Sequence, residues 1–239
     1  MKAVLLAAGK GVRLKHLTEN LPKVMIPING KPILEYHIEM LADAEITDVF
    51  INLHHLPEKI MEYFKDGKKW GLKIRYSYEP EILGTAGAVK RLEKELRPGS
   101  FLVIYGDNFL KIDYGDFIRY SEKKNGVGTI AAFWKEDVRE SGILSVGYRQ
   151  KISRFVEKPK LEEVFSHWVS AGVFYFREKV LDFIEPKYAD FGFDVVPKIL
   201  KEGKELYAYK LKGMVWGIDT LELLDELLKR KQSKKGSKI

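Results

Sequence analysis

The stretch MKAVLLAAGKGVRLKHLTENLPKVMIPINGKP, residues 1–32, decides how the rest of the chain is interpreted. A short apolar run, Ala3 to Ala7, ends at the glycine-bearing turn Gly9–Gly11, and two cations, Arg13 and Lys23, follow. A strand that ends in such a turn leaves backbone N–H groups free to form a concave anion site. With two cations able to fold back over it, the turn is typical of a site for a ligand with several phosphates. A tight turn followed by two surface cations is the alternative.

Two common glycine loops do not fit this turn. A Walker loop needs the string G-x-x-x-x-G-K-[ST], which does not occur in the chain. A dinucleotide fingerprint needs a third glycine at its sixth position, where Leu14 stands. The second predicted strand also lacks an acid at its end, at 52–55, so an NAD-dependent dehydrogenase is disfavoured.

Apolar runs and helical patterns alternate in the first half of the chain. Predicted strands lie at 2–7, 48–53, 72–78 and 101–105, and predicted helices at 32–43, 57–66 and 85–96. The strands are almost continuously apolar, which favours a parallel sheet covered on both faces. Strand–helix–strand repeats with short links predict an α/β fold with a doubly wound, mostly parallel, Rossmann-like sheet.

The second half has a different pattern, in which strands follow one another with only turns or short polar segments between them. This pattern predicts antiparallel additions to the same sheet. After a helix at 114–124, strands are predicted at 127–133, 143–148, 152–157, 169–176 and 205–211, with helices at 194–202 and 220–231. We expect one domain over residues 1–230, with a change of character near residue 130.

Composition excludes several classes of protein. The chain has 239 residues, of which 45% are hydrophobic and 31% charged, as in a globular domain. No apolar run approaches the ~20 residues of a membrane span, so no membrane partner is expected. The absence of cysteine excludes disulfides, a thiolate nucleophile and a cysteine-bound metal. The N-terminus lacks a secretory pattern, which predicts a cytoplasmic location.

The net charge of +7 arises at the end of the chain. Residues 229–239 hold six of the 41 Lys and Arg and no Asp or Glu. Without that stretch, 35 basic residues face 34 acidic ones, so the body is nearly neutral and nucleic-acid binding is not indicated. We expect residues 231–239 to form a basic, disordered tail.

Ligands of doubly wound sheets bind beyond the carboxyl ends of the strands. This rule brings together the first loop, Glu79, the segment Gly84–Gly87 and Asp107. A carboxylate at that edge can hold Mg²⁺, which takes one or two carboxylates together with phosphate oxygens. Asp219 is the best candidate for a second carboxylate. The alternatives are a turn residue for Asp107 and a helix N-cap for Asp219.

Six motifs, in order along nearly the whole chain, resemble the sugar-1-phosphate nucleotidylyltransferase family. They are LAAGKGVRL at 6–14 with PK at 22–23, KP at 31–32, LGTAGAV at 83–89, GD at 106–107, EKP at 157–159 and WGIDT at 216–220. The chain departs from the family pattern at Val12, where a hydroxyl residue is usual, and at Ser170, where many members have Asn. In much of the family the acid of the last motif would stand at Gly217, two positions before Asp219.

The resemblance implies transfer of a nucleoside monophosphate from an NTP to a sugar 1-phosphate, with Mg²⁺ as cofactor and pyrophosphate as product. Residues of about 1–130 would bind the nucleotide, and about 131–230 would form a sugar-phosphate lobe. The implied roles are catalytic for Arg13, Lys23, Asp107 and Lys158; nucleotide-binding for Leu6, Ala8, Gly9, Gly11, Glu79, Gly84 and Thr85; sugar-binding for Gly142, Glu157, Ser170 and Gly172; and metal-binding for Asp107 and Asp219.

Two points of local geometry accompany this resemblance. Thr85 stands at the start of a predicted helix, so a capping role is the alternative to nucleotide contact. Glu157 and Lys158 end a predicted strand, where successive side chains point to opposite faces.

The sequence is compatible with more than one pair of substrates. EPEILGTAGAV at 79–89 and NLHHLPEKI at 52–60 look most like the guanylyltransferase branch, which acts on mannose 1-phosphate or related sugar phosphates with GTP. The alternative is uridylyl or thymidylyl transfer to glucose 1-phosphate. A non-catalytic nucleotide-sugar sensor on the same fold is an alternative of another class, and a homo-oligomer is compatible with the sequence.

Overall fold

The computed structural model describes residues 1–213 and 215–235, with side chains described for 1–213 and 215–229. In chain order the strands are β1 (Lys2–Leu6), β2 (Pro27–Ile28), β3 (Lys31–Pro32), β4 (Asp48–Leu53), β5 (Lys73–Tyr78), β6 (Ser100–Tyr105), β7 (Asn108–Leu110), β8 (Gly128–Trp134), β9 (Gly142–Val146), β10 (Ile152–Glu157), β11 (Trp168–Arg177), β12 (Leu206–Lys210) and β13 (Val215–Gly217). The helices are α1 (Ile33–Asp43), α2 (Pro57–Phe64), α3 (Gly84–Arg91), α4 (Glu93–Leu96), α5 (Tyr114–Glu122), α6 (Val196–Lys201) and α7 (Leu221–Lys235).

The first half of the chain supplies the parallel part of a nine-stranded sheet, in the order β5–β4–β1–β6. Leu5 in β1 lies between Ile51 of β4 and Ile104 of β6, and all three are fully buried. A strand with neighbours on both edges and helices on both faces needs this continuous apolar sequence. The predicted doubly wound, mostly parallel sheet is confirmed.

Strand β11 joins the second half to the first. It runs antiparallel to β6 along one edge and antiparallel to β8 along the other, and β12 continues the sheet parallel to β8. The β9–β10 hairpin attaches to the start of β11 where Val169 faces Ile143. One sheet therefore runs through both halves and includes the predicted antiparallel additions.

Apolar clusters cover both faces of the sheet and fix the last helix. Leu34 and Phe117 bring α1 and α5 onto one face, whereas Phe191 and Ile199 belong to the cluster on the other. A smaller cluster packs Leu224 and Leu227 of α7 against Leu14, Ile218 and their neighbours. The first part of α7 is thereby packed against the segment that follows the first loop.

Several boundaries differ from those predicted. The helix predicted at 85–96 is two helices, α3 and α4, which meet at Leu92. The helix predicted from 194 begins at Val196, after a wide π-helical turn at Phe191–Val195. Helix α7 continues to Lys235, five residues into the predicted disordered tail, and residues 236–239 of that tail lie outside the described residues.

Two small strand pairs were missed. Pro27–Ile28 pairs with Lys31–Pro32 as a hairpin, and β7 pairs with β13. Strands of two or three residues carry too little alternation to be recognised from sequence. Within the part of the chain that the structure describes, no helix combines the length and apolar character needed to cross a membrane.

Candidate active site

The carboxyl ends of the parallel strands border a cleft with two cavities. A smaller cavity of about 340 Å³ and a larger one of about 760 Å³ share two wall residues, Tyr105 and Asp107. The smaller cavity is lined by six of the seven predicted nucleotide-binding residues: Leu6, Ala8, Gly9, Glu79, Gly84 and Thr85. The larger is lined by Arg13, Asp107, Gly142, Glu157, Lys158, Ser170, Gly172 and Asp219. Asp107 therefore stands at the junction.

Gly11, the seventh predicted nucleotide-binding residue, does not line either cavity. Its φ of +62° lies in the left-handed region, and a Cβ there would come 2.9 Å from Thr18 Cγ2 and 3.1 Å from Lys23 Cβ. A side chain at this position would be strained and would push Lys23 away. The observed contribution of Gly11 is close packing under the loop.

Lys23 bridges the two carboxylates predicted to hold a metal. Its Nζ lies 2.5 Å from Asp107 Oδ2 and 2.8 Å from Asp219 Oδ1, and its side chain is only 8% exposed. Burial lowers the pKa of Lys23, but the two carboxylates outweigh that effect and hold the pKa above its ordinary value. Burial raises the pKa of Asp219, but the nearby cations Lys23 and Arg13 outweigh burial. The pKa of Asp219 is therefore below its ordinary value.

The β7–β13 pair brings the two carboxylates together from positions more than a hundred residues apart. Asn108, which follows Asp107, lies opposite Gly217, two residues before Asp219. Asp219 is not the N-cap of α7, because the Leu223 N–H lies 3.4 Å from the Thr220 Oγ1 and Thr220 occupies the capping position. The capping alternative for Asp219 is therefore wrong, and its carboxylate faces Lys23 and Arg13.

Asn52 and Glu79 form the buried floor of the smaller cavity. Asn52 Oδ1 accepts a hydrogen bond from the Ala7 N–H at 2.6 Å, and Asn52 Nδ2 donates to Glu79 Oε1 at 2.8 Å. The Leu83 N–H donates to Glu79 Oε2 at 3.1 Å. These bonds connect the ends of β1, β4 and β5 to the start of α3, so the floor is fixed before a ligand arrives.

Thr85 does not cap its own helix. Its hydroxyl group is bonded to a segment that borders both cavities. Its Oγ1 donates to Asp190 Oδ2 at 2.8 Å and accepts from the Phe191 N–H at 2.9 Å. Asp190 Oδ1 accepts in turn from the Gly192 N–H at 2.8 Å. Asp190 lines the smaller cavity and Gly192 the larger, so this segment is a wall common to both.

Glu157 lies against bare backbone in the wall of the larger cavity. A Cβ at Gly142 would come 2.5 Å from Glu157 Oε2, and one at Gly192 would come 2.2 Å from it. Burial, with a contribution from Asp190, raises the pKa of Glu157 to about 7, and Lys158 opposes that rise. Glycine at both positions leaves room for this carboxyl group.

Lys158 does not point away from Glu157 as strand alternation predicts, since both residues line the larger cavity. Strand β10 ends at Glu157, and Lys158 has a φ of +45° in the left-handed region. This turn carries the lysine back toward the cleft. Its Nζ lies 3.6 Å from Glu140 Oε2, a separation too long for a hydrogen bond, and its side chain is 47% exposed.

Sequence reasoning missed several wall residues. Tyr105 and Asn108 flank the predicted Gly106-Asp107 motif, and the strand-end rule could have included both. Asn108 Nδ2 donates to the Ala171 carbonyl at 3.0 Å, which joins Asp107 to the predicted sugar segment at 170–172. Glu140 and Asp190 come from irregular loops, where no periodicity signals their direction.

The cleft contains oxygen ligands of the kind that hold a divalent metal ion. Among the described residues there is no cluster of three His, Asp or Glu side chains that could hold an ion. Asp107 and Asp219 provide two carboxylates, and both contact the single ammonium group of Lys23. Two carboxylates, with phosphate oxygens and water completing the shell, are the ligands that Mg²⁺ prefers. The residues present fit that ion.

Comparison with known proteins agrees with this geometry. The sequence profile described as "Nucleotidyl transferase" matches residues 2–220. The chain belongs to the nucleotidyl transferase family. The resemblance noted from the sequence motifs is therefore confirmed at the level of the family.

Curated relatives of this family member carry different substrate names. The chain is 34% identical over 226 residues to a UTP–glucose-1-phosphate uridylyltransferase of Synechocystis sp., covering 88% of the chain and 58% of the relative. It is 33% identical over 218 residues to mannose-1-phosphate guanyltransferase 2 of Candida glabrata, covering 89% of the chain and 60% of the relative. The chain thus spans less than two thirds of these relatives.

Solved structures share the fold of this family member. A putative glucose-1-phosphate thymidylyltransferase from Bacillus anthracis superposes with a TM-score of 0.87 at 22% identity, covering 96% of this chain and 94% of the other. HddC from Yersinia pseudotuberculosis, complexed with GMP-PN, superposes with a TM-score of 0.79 at 26% identity, covering 96% and 99%. These relatives and structures are named for different nucleotides. The use of GTP by this chain therefore stays a prediction.

Proposed function

We propose that this chain transfers a nucleoside monophosphate from an NTP to a sugar 1-phosphate and releases pyrophosphate. The observation that carries the proposal is the meeting of two cavities at Asp107, with Lys23 on one side and Lys158 on the other. A reaction between two phosphate-bearing substrates needs both held at one point with their charge compensated. Family membership supports the same chemistry.

The proposed roles follow from position. The smaller cavity would hold the base and ribose, while Arg13 and Lys23 would neutralise the triphosphate at the junction. Lys158 would hold the phosphate of the sugar substrate, whose oxygen attacks the α-phosphorus in line with the leaving pyrophosphate. Glu157 would accept hydrogen bonds from sugar hydroxyl groups, beside the backbone of Gly142. Positioning and charge compensation are the main contributions a protein makes to such a transfer.

Asp107 and Asp219 would hold the magnesium ion. When bound, the ion would neutralise charge that develops on the phosphate oxygens during transfer. Lys23 occupies the space between the two carboxylates, so its ammonium group would turn from them toward the phosphates when substrate and cation bind. The chain's contribution is to hold the two carboxylates close together with the ammonium group of Lys23 between them.

GTP is the nucleotide we favour, with mannose 1-phosphate or a related sugar phosphate as acceptor. Glu79 lines the smaller cavity, and an ionised carboxylate accepts hydrogen bonds but donates none. Guanine presents two neighbouring donors, N1–H and the N2 amino group, whereas uracil and thymine present a single N3–H between two carbonyls. A carboxylate with spare lone pairs matches guanine better. UTP or dTTP with glucose 1-phosphate is the second candidate, since relatives with those names also match.

The test is a pyrophosphate-release assay with four NTPs against mannose, glucose and heptose 1-phosphates. We expect Mg²⁺-dependent release that requires both substrates. Release from no pair, with NTP binding intact by calorimetry, would instead favour the non-catalytic sensor.

Glu79→Gln tests the nucleotide assignment. We expect it to lower kcat/KM for GTP at least about tenfold more than for UTP, because an amide nitrogen would face guanine donors. Exposed Glu81→Gln is the matched control. Equal losses for both nucleotides would reject the proposed contact.

A further inference from the structure

His37 is a fully buried titratable residue that lies behind the cleft and lines neither cavity. It belongs to α1, and both of its ring nitrogens have partners. Nδ1 lies 3.0 Å from the Tyr114 hydroxyl, and Nε2 lies 2.8 Å from the Asn108 carbonyl.

These partners fix the tautomer of the ring. A carbonyl oxygen can only accept a hydrogen bond, so Nε2 carries the proton and donates to Asn108. Burial lowers the pKa of His37 to about 4, so the ring is neutral near pH 7 and Nδ1 accepts from the Tyr114 hydroxyl. The neutral ring therefore donates one hydrogen bond, from Nε2 to the Asn108 carbonyl.

The residue that receives this bond connects three parts of the cleft. Asn108 follows Asp107 directly, its backbone lies opposite Gly217 in the β7–β13 pair, and its side chain donates to Ala171. Asp219 follows two residues after Gly217. A shift of the Asn108 backbone would move both carboxylates and the sugar segment together.

The β7–β13 pair is too short to hold this geometry by itself. It has three residue pairs and forms a separate two-stranded sheet, and isolated two-stranded sheets are marginally stable. The His37 bond attaches β7 to α1, a helix buried against the large central sheet.

We propose that His37 is a positioning residue of the active site, whose Nε2–H fixes the Asn108 carbonyl and thereby sets the spacing of Asp107, Asp219 and Ala171. The kinetic part of this inference rests on the proposed function, whereas the geometric part does not. The alternative is that His37 merely fills space in the core.

Two amide variants test the roles of the two ring nitrogens of His37 separately. In His37→Gln the side-chain amide reaches the position of Nε2 and can still donate to Asn108. In His37→Asn the amide reaches only the position of Nδ1, so it retains a group near Tyr114 and loses the donor. Tyr114→Phe is a third variant, which removes the hydroxyl and leaves the Nε2–H in place.

We expect kcat to fall in His37→Asn but not in His37→Gln or Tyr114→Phe. His37→Asn should lower kcat at saturating substrates about 10- to 100-fold, which corresponds to misplaced reacting groups. His37→Gln and Tyr114→Phe should stay within about threefold of the parent. If the losses in kcat are equal for Asn and Gln, or simply follow the thermal midpoints of the three variants, His37 is a packing residue and the proposal is wrong.

Hydrogen exchange supplies a readout that does not depend on turnover. Amide exchange in 108–110 and 215–217 should become at least about tenfold faster in His37→Asn than in His37→Gln, while β1 exchanges equally in both. Equal exchange at these strands would overturn the positioning role even if the kinetics are as expected. Conversely, if the parent chain shows no transfer activity but the exchange split is found, the proposed function fails and the geometric role of His37 stands.

Discussion

The two cavities that meet at Asp107 are constructed in different ways. In the smaller one Asn52 and Glu79 are held in place by hydrogen bonds to each other and to backbone N–H groups. In the larger one Lys158 is half exposed and Glu157 has a raised pKa. With the proposed substrates, we expect the nucleotide side to be ordered before binding and the sugar side to be completed by its substrate.

Substitution of Asp107, where the two cavities meet, should lower kcat more than any other change, because both proposed substrates meet there. Asp107→Ala removes a carboxylate shared by both cavities and by the proposed magnesium site. A loss of ~3 kcal/mol of charge stabilisation corresponds to roughly 150-fold in kcat. Steady-state kinetics with Mg²⁺ provide the measurement.

Asp113→Ala is the matched control for the junction. Asp113 caps α5 through the Asp116 N–H at 2.8 Å, so its loss should cost ~1 kcal/mol of stability and leave kcat unchanged. Near-normal turnover by Asp107→Ala would show that the metal assignment is wrong.

The two lysines should separate the cavities kinetically. Lys158→Ala should raise KM for the sugar phosphate by roughly 10- to 150-fold, more than KM for the NTP, because it removes one charge-assisted contact worth ~1.5–3 kcal/mol. Lys23→Ala should instead lower kcat, since its proposed partner is the phosphate under attack.

Each substrate is varied in turn for this test, with exposed Lys160→Ala as the control. A Lys158→Ala variant impaired only in NTP use would mean that the cavities have been given the wrong substrates.

Glu157 should make the sugar side sensitive to pH. Its raised pKa means that the folded chain retains a proton which the unfolded chain loses near pH 4.5, so stability should fall as pH rises from about 4.5 to 7. Glu157→Gln should remove that slope and be ~1–2 kcal/mol more stable at pH 8, once solvent access to the side chain is allowed for.

The kinetic counterpart concerns the ionised form of Glu157. If the carboxylate accepts sugar hydroxyl groups, KM for the sugar phosphate should rise about tenfold per pH unit below 7, and KM for the NTP should not. Denaturation curves and KM values between pH 5 and 8 test both points. A wild-type profile with the same slope as the Gln variant would count against a raised pKa.

The end of the chain should give the smallest effect. Among the side chains that the structure describes, Leu227 and Leu228 are the last apolar ones in the cluster that contains Leu14 and Ile218. Removing residues 232–239 should therefore spare both cavities. We expect a change below ~0.5 kcal/mol and unchanged kinetics. A fall of several degrees in Tm would indicate that this segment docks on the body.

The sequence motifs predicted the strand-end and glycine-loop residues of the smaller cavity, but not Tyr105, Tyr188 or Asp190. Its walls come from strand ends and from the contiguous segment at 84–85, where apolar runs and glycine turns mark the positions. The larger cavity was found only in part. The return of Lys158 depends on its own left-handed backbone, and Glu140 comes from an irregular loop, so neither position has a periodic signal.

The positioning elements were the least predictable. The β7–β13 pair has three residue pairs, and its partners are separated by more than a hundred residues. The helical pattern places His37 on the buried face of α1, but it does not identify Asn108 and Tyr114 as its partners. Such contacts are created by the tertiary fold, after the local pattern has fixed the helices and strands.

The ammonium group of Lys23 between Asp107 and Asp219 has a further consequence. The carboxylates already have a built-in counter-ion, so a free divalent cation must compete with a covalently tethered charge. We therefore expect weak affinity for the bare ion and much stronger uptake of the cation together with a triphosphate, which would attract the lysine away. The tethered ammonium group would therefore favour binding of the cation–triphosphate complex over binding of the free cation.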